Sequence, residues 1–258
     1  MRKNVIKHVF ALVLLALFAA QPVWAFDFSQ WDGLLKKYVA AKTINGVKLN
    51  AVDYQKLAKD PAYTRLLNDL KKASLADLKT SKDKLVFWMN AYNVMAVKMV
   101  LDHYPVKSIK DAGSFFKAVW KKDVGTVGGK VRTLNEIEHV ILRKLGEPRI
   151  HVAIVCASVS CPDLRKEAYT VKDIDAQLDD QLKLFLANKE KGLRVDSTKK
   201  RVHLSSIFKW FKEDFDSKGG VVKYLTPFAP ESAQGTLKSG SPHISYLDYD
   251  WGLNELSD

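Results

Sequence analysis

The pattern of apolar positions along the chain predicts a helix-rich protein with one deeply buried helix. Residues 82–104 contain the segment KLVFWMNAYNVMAVKMVLDHY. At 100° per residue, Lys84, Lys98 and Asp102 form a narrow polar stripe, and almost all other positions are apolar. A helix that is apolar nearly all round is usually buried in the middle of a domain. We therefore predict a buried central helix over residues 85–101.

Several shorter segments also have apolar residues at helical spacing. One of them begins at Thr133 with the capping-box sequence TLNE and should end at Gly146. A helix near the end of the chain should follow a cap at Ser205 or Ser206, and a helix near its start should follow a cap at Ser29. The helices predicted in this way cover residues 26–38, 61–71, 133–145, 173–188 and 207–215.

Other segments have the patterns of strands and turns. Residues 47–54 alternate weakly, and residues 124–133 predict a hairpin that turns at Gly128 and Gly129. Residues 193–204 predict a second hairpin that turns around residues 197–200. The unbroken apolar run that starts at Ile150 predicts a strand buried on both faces, up to Cys156. Residues 226–243 are rich in Pro, Gly and Ser and predict an extended surface loop, after which an aromatic tail should pack back on the domain.

These elements together predict an α+β fold, a helix-rich single domain with a small mixed sheet around the buried central helix. The sheet should include residues 150–156. No internal repeat or composition shift marks a second domain, so residues 26–258 are expected to form one globular domain.

The first residues have the pattern of an export signal. A basic start is followed by about a dozen apolar residues and by small residues at Val23 and Ala25. We predict a signal peptide over residues 1–25, a periplasmic or secreted protein, and no membrane span after cleavage, because the apolar run is too short. The formal net charge is +12, but the lysines are scattered and form no long basic block, so no nucleic-acid partner is expected.

The chain contains two cysteines, Cys156 and Cys161, both at the exit of the predicted buried strand. Pro162 is favoured at the first position of a helix, which would make Cys161 a helix N-cap. A thiol at a helix N-terminus can have a depressed pKa. Export would also place both thiols in an oxidising compartment, where a disulfide can form.

Residues elsewhere in the chain can complete a site at these cysteines. His139 can take a proton from a thiol, and a carboxylate such as Glu138 can orient an imidazole, although neighbouring helix residues point about 100° apart. Asn90 and Asn93 are expected to be buried amides that need partners. The candidate catalytic residues are Cys156, Cys161, His139 and Glu138. The candidate ligand-binding residues are Asn90, Asn93, Tyr92, His151 and Arg143.

Five motifs occur in order between residues 75 and 254. They are FWMNAYN at 87–93, IEH-x-x-LR at 137–143, RIHVAIVCASVSCP at 149–162, LSSIFKWFKEDF at 204–215 and YDWGLN at 249–254. Together they resemble the family called domain of unknown function 547, and the chain looks like an exported bacterial member. The family name itself states that no general activity is established. Some multidomain relatives carry a glutaredoxin domain beside this one, and the resemblance thus points to thiol chemistry.

These observations support two classes of function. The first is a Cys/His site that acts on or binds a small thiol, thioester or amide, with a glutathione-like or peptide ligand. The alternative is a non-enzymatic periplasmic binding or interaction module, with a structural disulfide between Cys156 and Cys161. Zinc ligation by these cysteines with His139 and His151 would need a second close ligand pair, so no metal or cofactor is assigned. The sequence leaves open whether the protein is an enzyme and what its oligomeric state is.

Overall fold

The computed structural model describes residues 26–112, 119–196, 198–199, 201–239 and 242–256. The predicted signal peptide, residues 1–25, lies outside the described residues, as do Ser197 and Lys200 of the second predicted turn. The helices are α1 (Ser29–Tyr38), α2 (Tyr54–Ala58), α3 (Pro61–Lys72), α4 (Ser81–Leu101), α5 (Ile150–Ala153), α6 (Ile174–Ala187), α7 (Ile207–Trp210), α8 (Val221–Leu225) and α9 (Glu231–Lys238).

Shorter helical turns and strands complete the α+β fold. A π-helical segment spans Glu136–Leu142. The 3₁₀ turns are Leu75–Asp77, Ile109–Ala112, Val119–Lys121, Arg143–Leu145, Lys212–Lys218 and Thr226–Phe228. The strands are β1 (Val39–Ile44), β2 (Val47–Val52), β3 (Asp123–Val127), β4 (Lys130–Thr133), β5 (Leu193–Asp196), β6 (Arg201–Leu204) and β7 (His243–Tyr246). Helix exceeds strand, as the sequence predicts.

The central helix α4 is buried along almost its whole length, which confirms the main prediction. It begins with a capping box, in which the Thr80 hydroxyl accepts from the Asp83 backbone at 3.0 Å and the Asp83 carboxylate accepts from the Thr80 backbone at 2.7 Å. The buried side chains from Leu85 to Val100 lie in the segment that packs against α2, β3 and the π-helical segment. Burial of each large apolar side chain contributes about 1.5–3 kcal/mol, so this helix organises the larger hydrophobic core.

The strands form three separate small sheets. Strands β1 and β2 pair antiparallel, as do β3 and β4, while β5, β6 and β7 form a mixed sheet in which β6 and β7 run parallel. The predicted turn between β3 and β4 is confirmed, with φ of 58° at Gly128 and 76° at Gly129. A Cβ at Gly128 would also lie 2.5 Å from Leu75 Cγ, so both the turn and the close packing require glycine there.

The predicted buried strand over residues 150–156 is wrong. Residues 150–153 form the single helical turn α5, and extended backbone begins only at Ile154. The Asn93 side chain on α4 takes the place of a neighbouring strand, because its amide donates to the Ala153 carbonyl at 3.0 Å and its oxygen accepts from the Val155 backbone at 2.9 Å. The apolar run therefore reflects burial under α4, which a short helix and a strand satisfy equally well.

Two further local predictions fail. Cys161 caps no helix, because residues 161–170 are irregular and the next helix starts at Ile174. The predicted surface loop contains α9, whose Ala233 and Leu237 are spaced by four residues and are buried in the second hydrophobic core. In both places tertiary packing overrides the local turn signals.

The helix predicted over residues 133–145 has an unusual winding. Thr133 does cap its start, since the Thr133 hydroxyl accepts from the Glu136 backbone at 3.0 Å, and Gly146 ends it with φ of 71°. Between these ends the chain winds as a π-helical segment and then as a 3₁₀ turn. Insertions of this kind inside helices are frequent at functional sites, and this segment carries Glu138 and His139.

The C-terminal tail packs back on the domain, as predicted. The Leu253 backbone donates to the Lys107 carbonyl at 2.8 Å, the Asn254 backbone donates to the Ala157 carbonyl at 3.0 Å, and the Tyr54 hydroxyl donates to the Asn254 side chain at 2.7 Å. No helix in the described part of the chain has the length and apolar character needed to cross a bilayer.

Candidate functional site

The two cysteines lie on a tight turn that is held from both sides. Asn93 binds the backbone before it, and the C-terminal tail binds the backbone within it, through a 2.8 Å bond from the Val159 backbone to the Gly252 carbonyl. Ala157 inside the turn has φ of 61°, which is unfavourable by about 1–2 kcal/mol for a residue with a Cβ. Such strain persists only when the surroundings enforce it, and it concentrates at functional sites.

This turn brings the two sulfurs together as free thiols. The Cys156 Sγ lies 3.0 Å from the Cys161 Sγ, 3.1 Å from the Ser158 hydroxyl and 3.4 Å from the Tyr249 hydroxyl. The Cys161 Sγ in turn accepts from the Cys156 backbone N–H at 2.9 Å. Cys156 is partly exposed, whereas Cys161 is only 4% exposed.

The surroundings favour a thiolate at Cys156 and a thiol at Cys161. The hydrogen bond from Cys161, supported by those from Ser158 and Tyr249, lowers the pKa of Cys156 from 9.0 to about 6. Burial and the adjacent Cys156 thiolate raise the pKa of Cys161 well above 9.0. At neutral pH the partly exposed Cys156 sulfur is therefore charged and nucleophilic. The buried Cys161 sulfur keeps its proton and donates it in a hydrogen bond to Cys156.

Glu138 faces the same space as the sulfurs. Its carboxylate accepts from the Tyr92 hydroxyl at 3.3 Å, and it lines one cavity with both cysteines. Burial, followed by the negative charge of Cys156, raises the pKa of Glu138 to about 7. A thiolate and a protonated carboxylic acid thus coexist between about pH 6 and pH 7.

His139 belongs to a different network. Its Nδ1 lies 3.1 Å from Nη1 of Arg143, and Arg143 makes two bonds of 2.7 Å to the Asp214 carboxylate. Asp214 has a second partner in His151, whose Nε2 lies 2.7 Å from Asp214 Oδ2. Because Arg143 can only donate, His139 Nδ1 accepts, and its proton lies on Nε2.

Both histidines are neutral at neutral pH. Burial and the charge of Arg143 lower the pKa of His139, and burial lowers the pKa of His151 to about 4. Within the described residues, no hydrogen bond joins His139 to either sulfur, although it lines the same cavity. Burial raises the pKa of Asp214, but the hydrogen bonds from Arg143 and His151 outweigh burial and lower it. The ionised Asp214 carboxylate therefore joins Arg143 and His151 in one network.

A cavity of about 150 Å³ lies against these groups. Its reactive side comprises the two sulfurs, Glu138 and His139. Most of the rest of its wall is aromatic or apolar. The full lining is Tyr92, Trp120, Glu138, His139, His151, Ile154, Cys156, Cys161, Ile207, Trp210, Phe211, Tyr249 and Trp251.

Not every residue named from the sequence lies at this cavity. Asn90 binds the backbone of Tyr169 at 2.9 and 3.1 Å, and Asn93 binds the turn backbone, so both amides are satisfied by the fold. Arg143 acts through Asp214 and His139 and does not line the cavity. Tyr92 and His151 do line it.

Sequence reasoning missed several residues at the site. Ser158, Asp214, Trp210, Tyr249 and Trp251 all contact the cavity or its supporting network. Except for Ser158, they lie about fifty residues or more beyond the cysteines, and only the folded chain brings them there. A usable signal was present, because all five occur within the motifs on which the family resemblance rests. No group of three His, Cys, Asp or Glu residues within the described ranges could hold a metal ion.

A comparison with protein-family models gives one match. Residues 75–186 match the family described as protein of unknown function, DUF547. This match assigns residues 75–186 of the chain to the DUF547 family. The part matched to DUF547 carries Tyr92, Glu138, His139 and both cysteines, but it ends before the cavity residues Trp210, Tyr249 and Trp251. Neither the curated proteins nor the solved structures contain a match to this chain.

Proposed function

We propose that this DUF547 protein uses Cys156 as the nucleophile in thiol–disulfide exchange with a small substrate, and that Cys161 is the resolving thiol. The observation that carries the proposal is the pair of sulfurs 3.0 Å apart with pKa values shifted in opposite directions. A partly exposed thiolate beside a buried, protonated thiol is the arrangement that a two-step exchange needs.

The exchange has two balanced steps. The Cys156 thiolate attacks one sulfur of a substrate disulfide, which forms a mixed disulfide and releases the other half as a thiolate. Cys161 then attacks the Cys156 sulfur, which releases the second half as a thiolate that takes up the Cys161 proton and leaves a Cys156–Cys161 disulfide. The substrate gains two electrons, and the cysteine pair loses two. An S–S bond is about 2.05 Å long, so the sulfurs have to approach by only about 1 Å.

Glu138 supplies the proton chemistry in this proposal. The leaving thiolate needs a proton, and the neutral Glu138 acid on the same cavity can provide it. We place the reaction outside the cytoplasm, because the start of the chain has the pattern of a signal peptide and the dithiol can be oxidised there. Mass spectrometry of the exported protein tests this location, since the mature chain should begin at Phe26.

Glu138 also favours a second candidate, acyl transfer from a thioester or amide. The Cys156 thiolate would attack the carbonyl carbon, and Glu138 would protonate the departing thiolate or amine. This reaction needs no second sulfur. The contribution of Cys161 therefore separates the two candidates.

Trapping of the mixed disulfide tests the proposal. The reduced mature protein, C156S and C161S are each incubated with hydroxyethyl disulfide at pH 7 and analysed by mass spectrometry. Wild type should end with an internal disulfide and no adduct, C161S should retain one adduct on Cys156, and C156S should react at least about tenfold more slowly, because the buried Cys161 thiol is protonated. Ser239→Ala, which removes an exposed hydroxyl at the end of α9, serves as a control that should behave like wild type.

Other outcomes would reject the exchange reaction. If C156S reacts as fast as wild type, Cys156 is not the nucleophile. If the protein isolated from the oxidising compartment contains a disulfide that dithiothreitol does not reduce without unfolding, the structural-disulfide binding module is favoured instead. If C161S still turns over a thioester at the wild-type rate, acyl transfer replaces exchange.

A further inference from the structure

An exposed aromatic cluster forms one side of the cavity over Cys156. We name Trp120, Trp210, Tyr249 and Trp251 the aromatic wall. Trp210 stacks on Trp251 at a centroid distance of 5.7 Å and an angle of 22°, and Tyr249 lies 4.5 Å from Trp251 and 4.9 Å from Trp210. Trp120 lies 6.0 Å from Trp251 and extends the wall.

The wall is not simply part of the hydrophobic core. Trp210 remains 48% exposed, although α7 also carries the fully buried Phe208. Tyr249 contacts the reactive sulfur directly through its hydroxyl, so the same side chain belongs to the wall and to the nucleophile's surroundings. A half-exposed tryptophan within a cluster that reaches the nucleophile points to a ligand that covers it.

The size of the cavity limits what can bind. Its volume is about 150 Å³. A cavity of about 150 Å³ in another protein, lined by apolar side chains, takes up benzene. The space next to Cys156 is therefore large enough for one six-membered ring or a branched side chain, and too small for a whole peptide.

The charges nearby limit its chemistry. The Cys156 thiolate is negative at neutral pH, and Glu138 becomes negative above about pH 7. Arg143 is already neutralised by its two bonds to Asp214. A carboxylate in this space would meet repulsion, whereas an uncharged group would not. The ammonium of Lys110 lies 3.7 Å from the centroid of the Trp251 ring, and a cation at this position suits an anionic group farther from the sulfur.

We propose that the cavity binds an uncharged, ring-sized apolar group next to the reacting atom of the substrate, with that group packed on Trp210 and Trp251 of the aromatic wall. The substrate class is thus a disulfide of an aromatic or bulky aliphatic thiol. This inference rests on the proposed nucleophile at Cys156. It goes beyond that proposal by naming the part of the substrate that gives specificity.

Two alkylating probes with the same reactive group test the inference. The rates of Cys156 modification by iodoacetamide and by N-benzyl-iodoacetamide are measured at pH 7, and their ratio is divided by the ratio for N-acetylcysteine. Stacking on an aromatic wall contributes about 0.5–1.5 kcal/mol, so the wild-type protein should prefer the benzyl reagent by about threefold to tenfold. Trp210→Ala should bring the corrected ratio close to one, and Trp210→Phe should keep most of the preference.

Matched controls separate a lost wall from a damaged fold. Tyr246→Ala removes another exposed aromatic side chain, which does not line the cavity, and should keep the wild-type ratio. The iodoacetamide rate reports on the thiolate alone, so it should stay within about twofold in Trp210→Ala if the turn is intact. Thermal unfolding of each variant checks that it is folded.

The outcomes distinguish this inference from the proposed function. If Cys156 reacts with neither probe faster than a buried thiol, the nucleophile fails and the substrate inference fails with it. If Cys156 reacts readily but the corrected ratio is near one, the nucleophile stands and the apolar binding site is refuted. A preference that survives in Trp210→Ala would also refute the role of the wall.

Discussion

Glu138 provides a test of the site that does not depend on knowing the reaction. Burial and the Cys156 thiolate raise the pKa of Glu138 from 4.5 to about 7. A raised carboxyl pKa means that the folded protein prefers the protonated form, so this stability is fully present below the unfolded pKa and is lost as pH rises through the folded pKa. Glu138→Gln keeps the shape of the protonated acid and removes the ionisation.

The size of the effect follows from the shift. One pKa unit corresponds to about 1.4 kcal/mol, so the full effect is about 3 kcal/mol, and about 2.5 kcal/mol of it falls between pH 5 and pH 8.5. Relative to wild type, Glu138→Gln should therefore gain about 2.5 kcal/mol in free energy of unfolding over this interval. Urea titration followed by tryptophan fluorescence, with the thiols kept reduced, measures both proteins at both pH values.

Two comparisons show where the effect comes from. In the Cys156→Ser background the gain should shrink, because the thiolate that helps to raise the Glu138 pKa is absent. Glu136→Gln, two residues earlier, should show almost no change between pH 5 and pH 8.5. Hydrogen bonds from Lys130 and Arg132 outweigh burial and lower the Glu136 pKa, so this carboxylate is ionised in the folded and the unfolded protein over the whole interval. A gain for Glu138→Gln that is the same at pH 5 and pH 8.5 would refute the argument that Glu138 is a desolvated acid beside the thiolate.

Three further substitutions probe the elements that hold the site. Asn93→Ala should lower the free energy of unfolding by about 2–5 kcal/mol in urea titrations, because it leaves a buried N–H and a buried carbonyl without partners. Asn68→Ala, at an exposed position of α3, should change it by less than about 1 kcal/mol. Asp214→Asn should lower the free energy of unfolding by about 1–3 kcal/mol, because the charged bonds of Asp214 to an arginine and a histidine are lost. The exposed Asp216→Asn should be near neutral when both variants are compared in thermal melts. Equal effects of the two substitutions would contradict the network. Thr80→Ala should cost about 1 kcal/mol by removing the cap of α4, and no change in the urea midpoint would argue against that cap.

The local sequence pattern was sufficient to predict the elements that are buried on one face or on all faces. The apolar run of α4, the diglycine turn between β3 and β4 and the cap at Thr133 each depend on a few neighbouring residues, and each is found where it was expected. Residues 150–156 were different, because a short apolar run shows only that the segment is buried. The Asn93 side chain, almost sixty residues earlier, decides its conformation.

For the candidate site, too, the sequence predicted some features and the fold decided others. The sequence alone placed the chemistry at Cys156 and Cys161, because they are the only cysteines and lie five residues apart at the end of a buried segment. It also paired them with His139, since His is the usual base for a thiol. In the folded chain Arg143 holds His139, and Glu138 has the raised pKa at the cavity.

What the sequence determined is local: the order of most helices and hairpins, the buried central helix and the closeness of the two thiols. The tertiary structure decided which sulfur is charged, which acid faces it and which aromatic side chains enclose it. The reason is that a pKa depends on burial and on partners such as Ser158 and Tyr249, and an aromatic wall depends on segments far apart in the chain. Trp251 lines the same cavity as Cys156 and stacks on Trp210 because the C-terminal tail folds back over the turn that carries Cys156.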